Sequence, residues 1–156
     1  MNDIEISKVL CPVDFSEPSE HALRYAVDLA RTFDADLMIL HVVEVPFLPA
    51  YSMAGVPDLS MPIEQIEKAA RNRLDELVET WRPKYDRING DMVIGTPFVE
   101  IITCARDMRA DLIVMGTHGK SGLRHLLIGS VAEKVVRKAP CPVLTVKHPD
   151  HAFEMP

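Results

Sequence analysis

Short apolar runs and stretches of helical periodicity alternate along the chain. The apolar runs predict strands at residues 6–13, 37–43, 92–94, 111–115 and 143–146. The helical patterns between them begin near Ser16, Ile63, Thr96 and Ser130. Runs that are apolar almost throughout are typical of strands covered on both faces. The alternation therefore predicts an α/β fold, an open five-stranded parallel sheet with helices on both faces.

Capping residues and apolar spacing define the predicted helices. Ser16 is a suitable N-cap for helix one, and Ser130 with Glu133 has the spacing of a capping box for the last helix. The predicted inward positions are Ala22, Leu23, Ala26, Val27, Ala30 and Phe33 in helix one, Ile63, Ile66, Ala70, Leu77, Val78 and Trp81 in helix two, and Val99, Ile102, Ala105 and Met108 in helix three. Helix two is expected to stop near Pro83.

The expected sheet has a point where the strand order reverses. We expect a Rossmann-like order of 3-2-1-4-5, in which strands one and four flank that point, and ligands of such sheets bind beyond the carboxyl ends of the strands there. Asp14 follows strand one and Gly116 follows strand four. Both residues therefore belong to the predicted site, although Asp14 has the alternative role of capping helix one.

Composition narrows the class of protein. The 156 residues fit one domain, which we place at 1–147 with a C-terminal tail at 148–156. A net charge of −6 argues against a general nucleic-acid or anionic-membrane binder.

Cys11, Cys104 and Cys141 form no C-x-x-C pair, so we expect reduced thiols and a cytoplasmic protein, with Cys11 and Cys104 as small buried apolar groups. No apolar run approaches the ~20 residues of a membrane span, and the N-terminus lacks a signal-peptide core.

A glycine-rich segment joins strand four to the last helix. It begins at Gly116 and ends at Gly129-Ser130. A glycine has no Cβ to obstruct a phosphate that approaches the main chain. The start of a helix adds unpaired N–H groups and the positive end of the helix dipole. The segment therefore predicts a phosphate-bearing ligand.

Two common phosphate-binding motifs fail on spacing. A Walker A loop that ends in Gly119-Lys120-Ser121 needs its first glycine at position 114, which is Val114. The dinucleotide pattern G-x-G-x-x-G fails at the same residue, and it belongs after the first strand of a sheet. The spacing present is Gly-x2-Gly-x9-Gly-Ser.

This spacing, with other motifs in the same order, resembles the universal stress protein family in its ATP-binding branch. The matching blocks are Cys11-Pro12-Val13-Asp14-Phe15-Ser16, His41-Val42, Met115-Gly116-Thr117-His118-Gly119, Gly129-Ser130-Val131-Ala132-Glu133 and Pro142-Val143-Leu144-Thr145-Val146. The resemblance covers about residues 4 to 147. It implies an ATP-binding regulatory module of the stress response that is dimeric through residues 143–146 and acts on an unknown protein partner.

The resemblance assigns site residues position by position. Asp14 and the main chain of Val42 match positions at the adenine and ribose end, Pro12 and Val13 line that pocket, and Met115 and Gly116 lie near the ribose. The main-chain N–H groups of Gly119, Gly129 and Ser130, with the Ser130 hydroxyl, match positions that hold the phosphates. His118, Val131 and Ala132 complete the predicted nucleotide-binding set.

One departure from the family pattern concerns the phosphate end. Position 132 is Ala132, where close ATP binders can carry a hydroxyl residue, so we expect one phosphate contact fewer. The resemblance also implies Mg²⁺ or Mn²⁺ held mainly by the phosphates. From the residues themselves, His118 and His125 fit loop or surface positions better than a metal pair, because they lie seven residues apart without ligands nearby. His41 is expected to be structural.

Several roles stay open at this stage. Lys120 and Arg124 fit either phosphate contacts or solvated loop charges. The Pro- and Met-rich loop at 44–62 fits either a mobile cover or a simple excursion. The alternative functions are a slow ATPase or adenylate-transferring hydrolase, for which His118 is the one candidate base, and a nucleotide-free dimer, which would not need the three glycines of the loop.

Overall fold

A computed structural model describes residues 4–44, 63–119 and 128–149. Its central element is a five-stranded parallel sheet. The strands are β1 (Lys8–Pro12), β2 (Asp36–Val43), β3 (Ile88–Ile94), β4 (Leu112–Gly116) and β5 (Val143–Val146). The helices are α1 (Glu17–Phe33), α2 (Ile63–Trp81), α3 (Pro97–Asp107) and α4 (Ser130–Lys138). The order β3-β2-β1-β4-β5 confirms the predicted topology, and the described helices contain no stretch long and apolar enough to cross a membrane.

Both faces of the sheet are buried, and the side chains alternate between them. On β1, Val9 and Cys11 pack with α1 and α2, whereas Leu10 packs with α3 and α4. On β4, Val114 faces the first pair of helices and Ile113 faces the second pair. This period of two is inherent in an extended chain, and burial on both faces explains why the strands are apolar almost throughout.

The start of α1 matches its predicted cap. Ser16 is the N-cap residue in extended conformation, and its hydroxyl oxygen accepts a hydrogen bond from the main-chain N–H of Ser19 at 3.4 Å. Pro18 stands in the first turn, where its missing N–H costs no helical hydrogen bond.

Strand β3 is longer than the sequence pattern predicts. The predicted strand covers 92–94, but β3 begins at Ile88 and pairs with β2 from Leu37↔Ile88 to Val43↔Ile94. Within the described sheet β3 is an edge strand, and its added residues include Asn89 and Asp91. Polar residues are tolerated at an edge, so the apolar signal reported only part of the strand.

Three predicted inward positions are wrong. Phe33, Ile63 and Val99 are 44%, 48% and 42% exposed. Each lies within two residues of an end of its helix. Leu74 and Ile101 were not predicted, yet they are 0% and 3% exposed.

The three cysteines are free thiols. Cys11 is buried as predicted, and burial raises the pKa of its thiol, which keeps it protonated. Cys104 is only half-buried, against the expectation, although burial and then the charges of Asp91 and Asp107 raise its pKa as well.

Truncation on α2 tests the revised core. Leu74→Ala is expected to lower the free energy of unfolding by about 2–5 kcal/mol, because a fully buried side chain leaves a cavity. Ile63→Ala, the matched change at an exposed position of the same helix, is expected to cost less than about 1 kcal/mol. Urea denaturation measures both values, and equal losses would contradict this assignment of the α2 faces.

Candidate functional site

A cavity of about 560 Å³ opens at the carboxyl ends of β1, β2 and β4, where the strand order reverses. All twelve residues predicted for the site line this cavity. They are Pro12, Val13, Asp14, Val42, Met115, Gly116, His118, Gly119, Gly129, Ser130, Val131 and Ala132. The structure therefore brings together, at one point, residues drawn from β1, β2, β4 and α4.

Asp14 is held by the start of α1 and also faces the cavity. Its Oδ1 accepts hydrogen bonds from the main-chain N–H of Ser16 at 3.0 Å and from the Ser16 hydroxyl at 2.5 Å. Its own N–H donates to Ser19 Oγ at 3.3 Å. Its Oδ2 lies against Gly119, where a Cβ would overlap it. One carboxylate oxygen of Asp14 therefore holds the residues that begin α1, and the other lies beside Gly119 of the glycine-rich segment.

The start of α4 differs from the predicted capping box. Gly129, not Ser130, is the N-cap residue, with φ −71° and ψ 157°, and its carbonyl accepts the N–H of Glu133 at 2.9 Å. Ser130 is the first helical residue and makes no capping bond. Glu133 instead pairs with Arg137, one turn later, at 2.8 Å. The capping box is wrong because an extended glycine already starts the helix and Glu133 has an oppositely charged neighbour at i+4.

A main-chain hydrogen bond of Gly129 joins the two ends of the glycine-rich segment. The Gly129 N–H donates to the Thr117 carbonyl oxygen at 2.6 Å, and a Cβ at Gly129 would stand 3.0 Å from the same oxygen. This corrects the expected role of the Gly129 amide, because that donor is already engaged. Helix geometry leaves the N–H groups of Ser130, Val131 and Ala132 without intrahelical acceptors. These three donors, at the positive end of the α4 dipole, border the cavity.

His118 is buried, against the expectation of a loop or surface position. It is 7% exposed, and the neighbouring Thr117 is 4% exposed. Thr117 Oγ1 and His118 Nδ1 share a hydrogen bond of 3.1 Å. The imidazole is therefore a fixed part of the cavity lining.

One wall of the cavity comes from a helix that the site prediction did not include. Ile66, Ala69, Ala70 and Arg73 of α2 line the cavity. Their spacing of i, i+3, i+4 and i+7 marks one helical face, which is the only trace of this wall in the sequence. That face carries small and apolar residues up to Arg73.

Arg73 is part of a stack that continues into the sheet. Its guanidinium carbon lies 4.5 Å from the centre of the Phe15 ring, and its Nη2 donates to the Phe15 carbonyl oxygen at 3.2 Å. The Phe15 ring also contacts His41, whose ring centre is 4.2 Å from that of Phe15. His41 Nδ1 is 2.8 Å from the Val13 carbonyl oxygen and donates to it. His41, Phe15 and Arg73 all line the cavity.

Among the residues that the structure describes, no three His, Cys, Asp or Glu side chains form a group that could hold a metal ion. Lys120, Arg124, His125 and the predicted loop beyond Glu44 lie outside the described residues.

Comparison of the sequence with known families identifies one match over most of the chain. The model of the universal stress protein family matches residues 5–147. The universal stress protein MJ0531 of Methanocaldococcus jannaschii is 38% identical over 143 residues, which cover 91% of this chain and 82% of the relative. The universal stress protein MJ0577 of the same organism is 34% identical over 152 residues, which cover 90% and 94%.

Solved structures share the fold. The universal stress protein UspA from Lactobacillus plantarum superposes with a TM-score of 0.76 at 24% identity, over 92% of this chain and 99% of its own. A universal stress protein in complex with cAMP has a TM-score of 0.61 at 25% identity, over 91% and 97%. The universal stress protein from Archaeoglobus fulgidus in complex with dAMP has a TM-score of 0.61 at 26% identity, over 92% and 98%.

Paired serine substitutions test the two helix starts without a ligand. Ser16→Ala is expected to lower the free energy of unfolding by about 1 kcal/mol, because it removes the cap of α1. Ser130→Ala is expected to change it by less than about 0.5 kcal/mol, because Ser130 makes no capping bond. Chemical denaturation of both variants measures the difference. A larger loss in the free energy of unfolding for Ser130→Ala would support the predicted capping box instead.

Proposed function

Because the chain belongs to the universal stress protein family, we propose that it is a regulatory module that binds an adenine nucleotide, with ATP as the ligand. The observation that supports the proposal is the shape of the cavity at the point where the strand order reverses. It is bordered by apolar residues at the ends of β1 and β2, and by open helix N–H groups at the start of α4. Such a cavity suits a ligand that has a flat apolar end and an anionic end.

The base and ribose occupy the end of the cavity formed by β1 and β2 in this proposal. Pro12 and Val13 are buried and present apolar surface for the base. The Asp14 carboxylate and the Val42 main chain supply the polar contacts that orient it. The complexes of related proteins with cAMP and dAMP, which share the adenine group, support an adenine nucleotide at this fold.

The phosphates extend past Met115 and Gly116 toward α4 in this proposal. Ser130, Val131 and Ala132 offer three main-chain donors there, and each contact between an anion and a helix N-terminus contributes about 0.3–1 kcal/mol. Ala132 adds no hydroxyl, so the ligand depends on main-chain donors and on the Ser130 side chain. Mg²⁺ or Mn²⁺, coordinated by the phosphate oxygens, would neutralise part of their charge.

Binding rather than catalysis is the proposed activity. In addition to a metal ion, phosphoryl-transfer enzymes place a lysine or arginine side chain on the transferred phosphate. Among the described residues that line the cavity, Arg73 is the only arginine or lysine, and it is engaged with Phe15. The regulatory output proposed here is the change in population of a partner-binding conformation when the nucleotide binds.

The dimer proposed here forms through β5. In the described sheet β5 pairs with β4 alone and is an edge strand. Leu144 on β5 is 39% exposed, and Val136 on α4 is 49% exposed. An apolar edge strand readily pairs with a second chain, so a copy of this protein is the expected occupant.

A charge at the start of α4 tests the phosphate contacts. Ser130→Asp is expected to raise the Kd for Mg-ATP at least about tenfold, because a carboxylate competes for the same N–H groups and repels the phosphates. Ser130→Asn is the matched neutral control and is expected to change the Kd by less than about threefold. Isothermal titration calorimetry measures both.

The same two variants titrated with adenosine separate the ends of the site. Adenosine has no phosphate, so both variants should bind it as the wild type does. Equal ATP affinity in Ser130→Asp and wild type would place the phosphates elsewhere, and a wild type that binds no adenine nucleotide would overturn the proposed function.

A lysine on the edge strand tests the dimer. Leu144→Lys is expected to shift the protein from dimer to monomer, because a charged edge strand resists pairing. Val99→Lys, at a position of similar exposure on α3, should leave the dimer intact. Sedimentation velocity measures the state of each, and a monomeric wild type would contradict the proposal.

A further inference from the structure

We infer that Arg73 is a positioning residue for Asp14: by holding the main chain of Phe15, it fixes the Asp14 carboxylate at the cavity and so sets the affinity for the nucleotide. The inference rests on the proposed function for the identity of the ligand. It assigns to α2, which the site prediction did not include, a part in ligand binding that needs no contact between Arg73 and the ligand.

The main chain at Phe15 is held in an unfavourable conformation. Its φ is +60°, in the left-handed region that a bulky residue rarely adopts. Such a residue persists only when its surroundings fix it in place. Phe15 is 8% exposed, and its ring contacts both His41 and Arg73.

Carbonyl groups on both sides of Asp14 are anchored by cavity side chains. His41 Nδ1 donates to the Val13 carbonyl oxygen at 2.8 Å, and Arg73 Nη2 donates to the Phe15 carbonyl oxygen at 3.2 Å. Asp14 lies between these two anchors. Its Oδ1 is fixed by Ser16, so the direction of its Oδ2 toward Gly119 depends on the main chain of residues 13 to 15.

The two anchors differ in where they come from. His41 belongs to β2 and pairs with Met92 of β3, so its position is fixed by the sheet. Arg73 belongs to α2, and it contacts both the carbonyl oxygen and the ring of Phe15. Without Arg73, the Phe15 main chain loses one hydrogen bond and one ring contact that oppose its return to negative φ. The Asp14 carboxylate would then move relative to Gly119.

Substitutions at position 73 test the inference by titration calorimetry with Mg-ATP. Arg73→Met keeps the length of the side chain but removes its donor and charge, and it is expected to raise the Kd about tenfold. Arg73→Lys keeps a charged donor but loses the planar guanidinium that lies over the Phe15 ring, so it should recover only part of the affinity. Arg71→Met, the same change on α2 at a position that does not line the cavity, should leave the Kd unchanged.

A double-mutant cycle with Asp14→Asn separates positioning from a general loss of structure. If Arg73 acts through Asp14, adding Arg73→Met to Asp14→Asn should raise the Kd less than about twofold. A merely structural role, or direct contact with the ligand, would make the two losses multiply. Multiplying losses, or an unchanged Kd in Arg73→Met, would overturn the inference while leaving nucleotide binding in place.

A readout in the free protein keeps the inference testable without any nucleotide. The side-chain carboxyl carbon of Asp14 should change its ¹³C chemical shift in Arg73→Met and keep it in Arg71→Met. An unchanged Asp14 resonance in a folded Arg73→Met protein would overturn the positioning role. Failure of the wild type to bind ATP would instead count against the proposed function.

Discussion

The reversal of strand order between β1 and β4 is the constraint on which the rest of the site depends. On one side of that point the chain crosses to β2 and β3, and on the other side to β4 and β5. Helices that make these crossovers cover opposite faces of the sheet, with α1 and α2 on one and α3 and α4 on the other. The carboxyl ends of β1 and β4 are therefore left with a gap above them, and every cavity residue named above borders that gap.

Hydrogen bonds of main-chain groups largely determine the shape of this gap. The Thr117 carbonyl takes the Gly129 N–H, which draws the two ends of the glycine loop together. The next N–H groups along α4 have no helical partners, and their residues border the cavity. On the opposite side, carbonyl oxygens of Val13 and Phe15 accept from His41 and Arg73, and so hold Asp14 between them. A site built this way depends on backbone positions, which explains why glycines and strand ends marked it in the sequence.

The sequence predicted the framework better than the contacts. The bounds of α4 and β5 agree with the pattern, since both are short segments with clear apolar spacing and punctuation by Gly129 and Pro142. The inward faces of the helices were predicted less accurately. Periodicity identifies a broad apolar stripe on each helix, whereas only part of that stripe contacts the sheet. Phe33 and Val99 lie on such stripes and are exposed, whereas Leu74, which was not predicted, is fully buried in the core.

The order of strands and helices, and the glycine spacing at a strand end, were determined by the sequence alone. Both follow from local physics: apolar periodicity reports which segments leave water, and glycine reports where the main chain must approach another group. Only the tertiary structure decided that His118 is buried, that the Gly129 N–H is occupied, and that Arg73 stacks on Phe15. These contacts join segments far apart in the chain, and close packing selects among many partners that have the same local pattern.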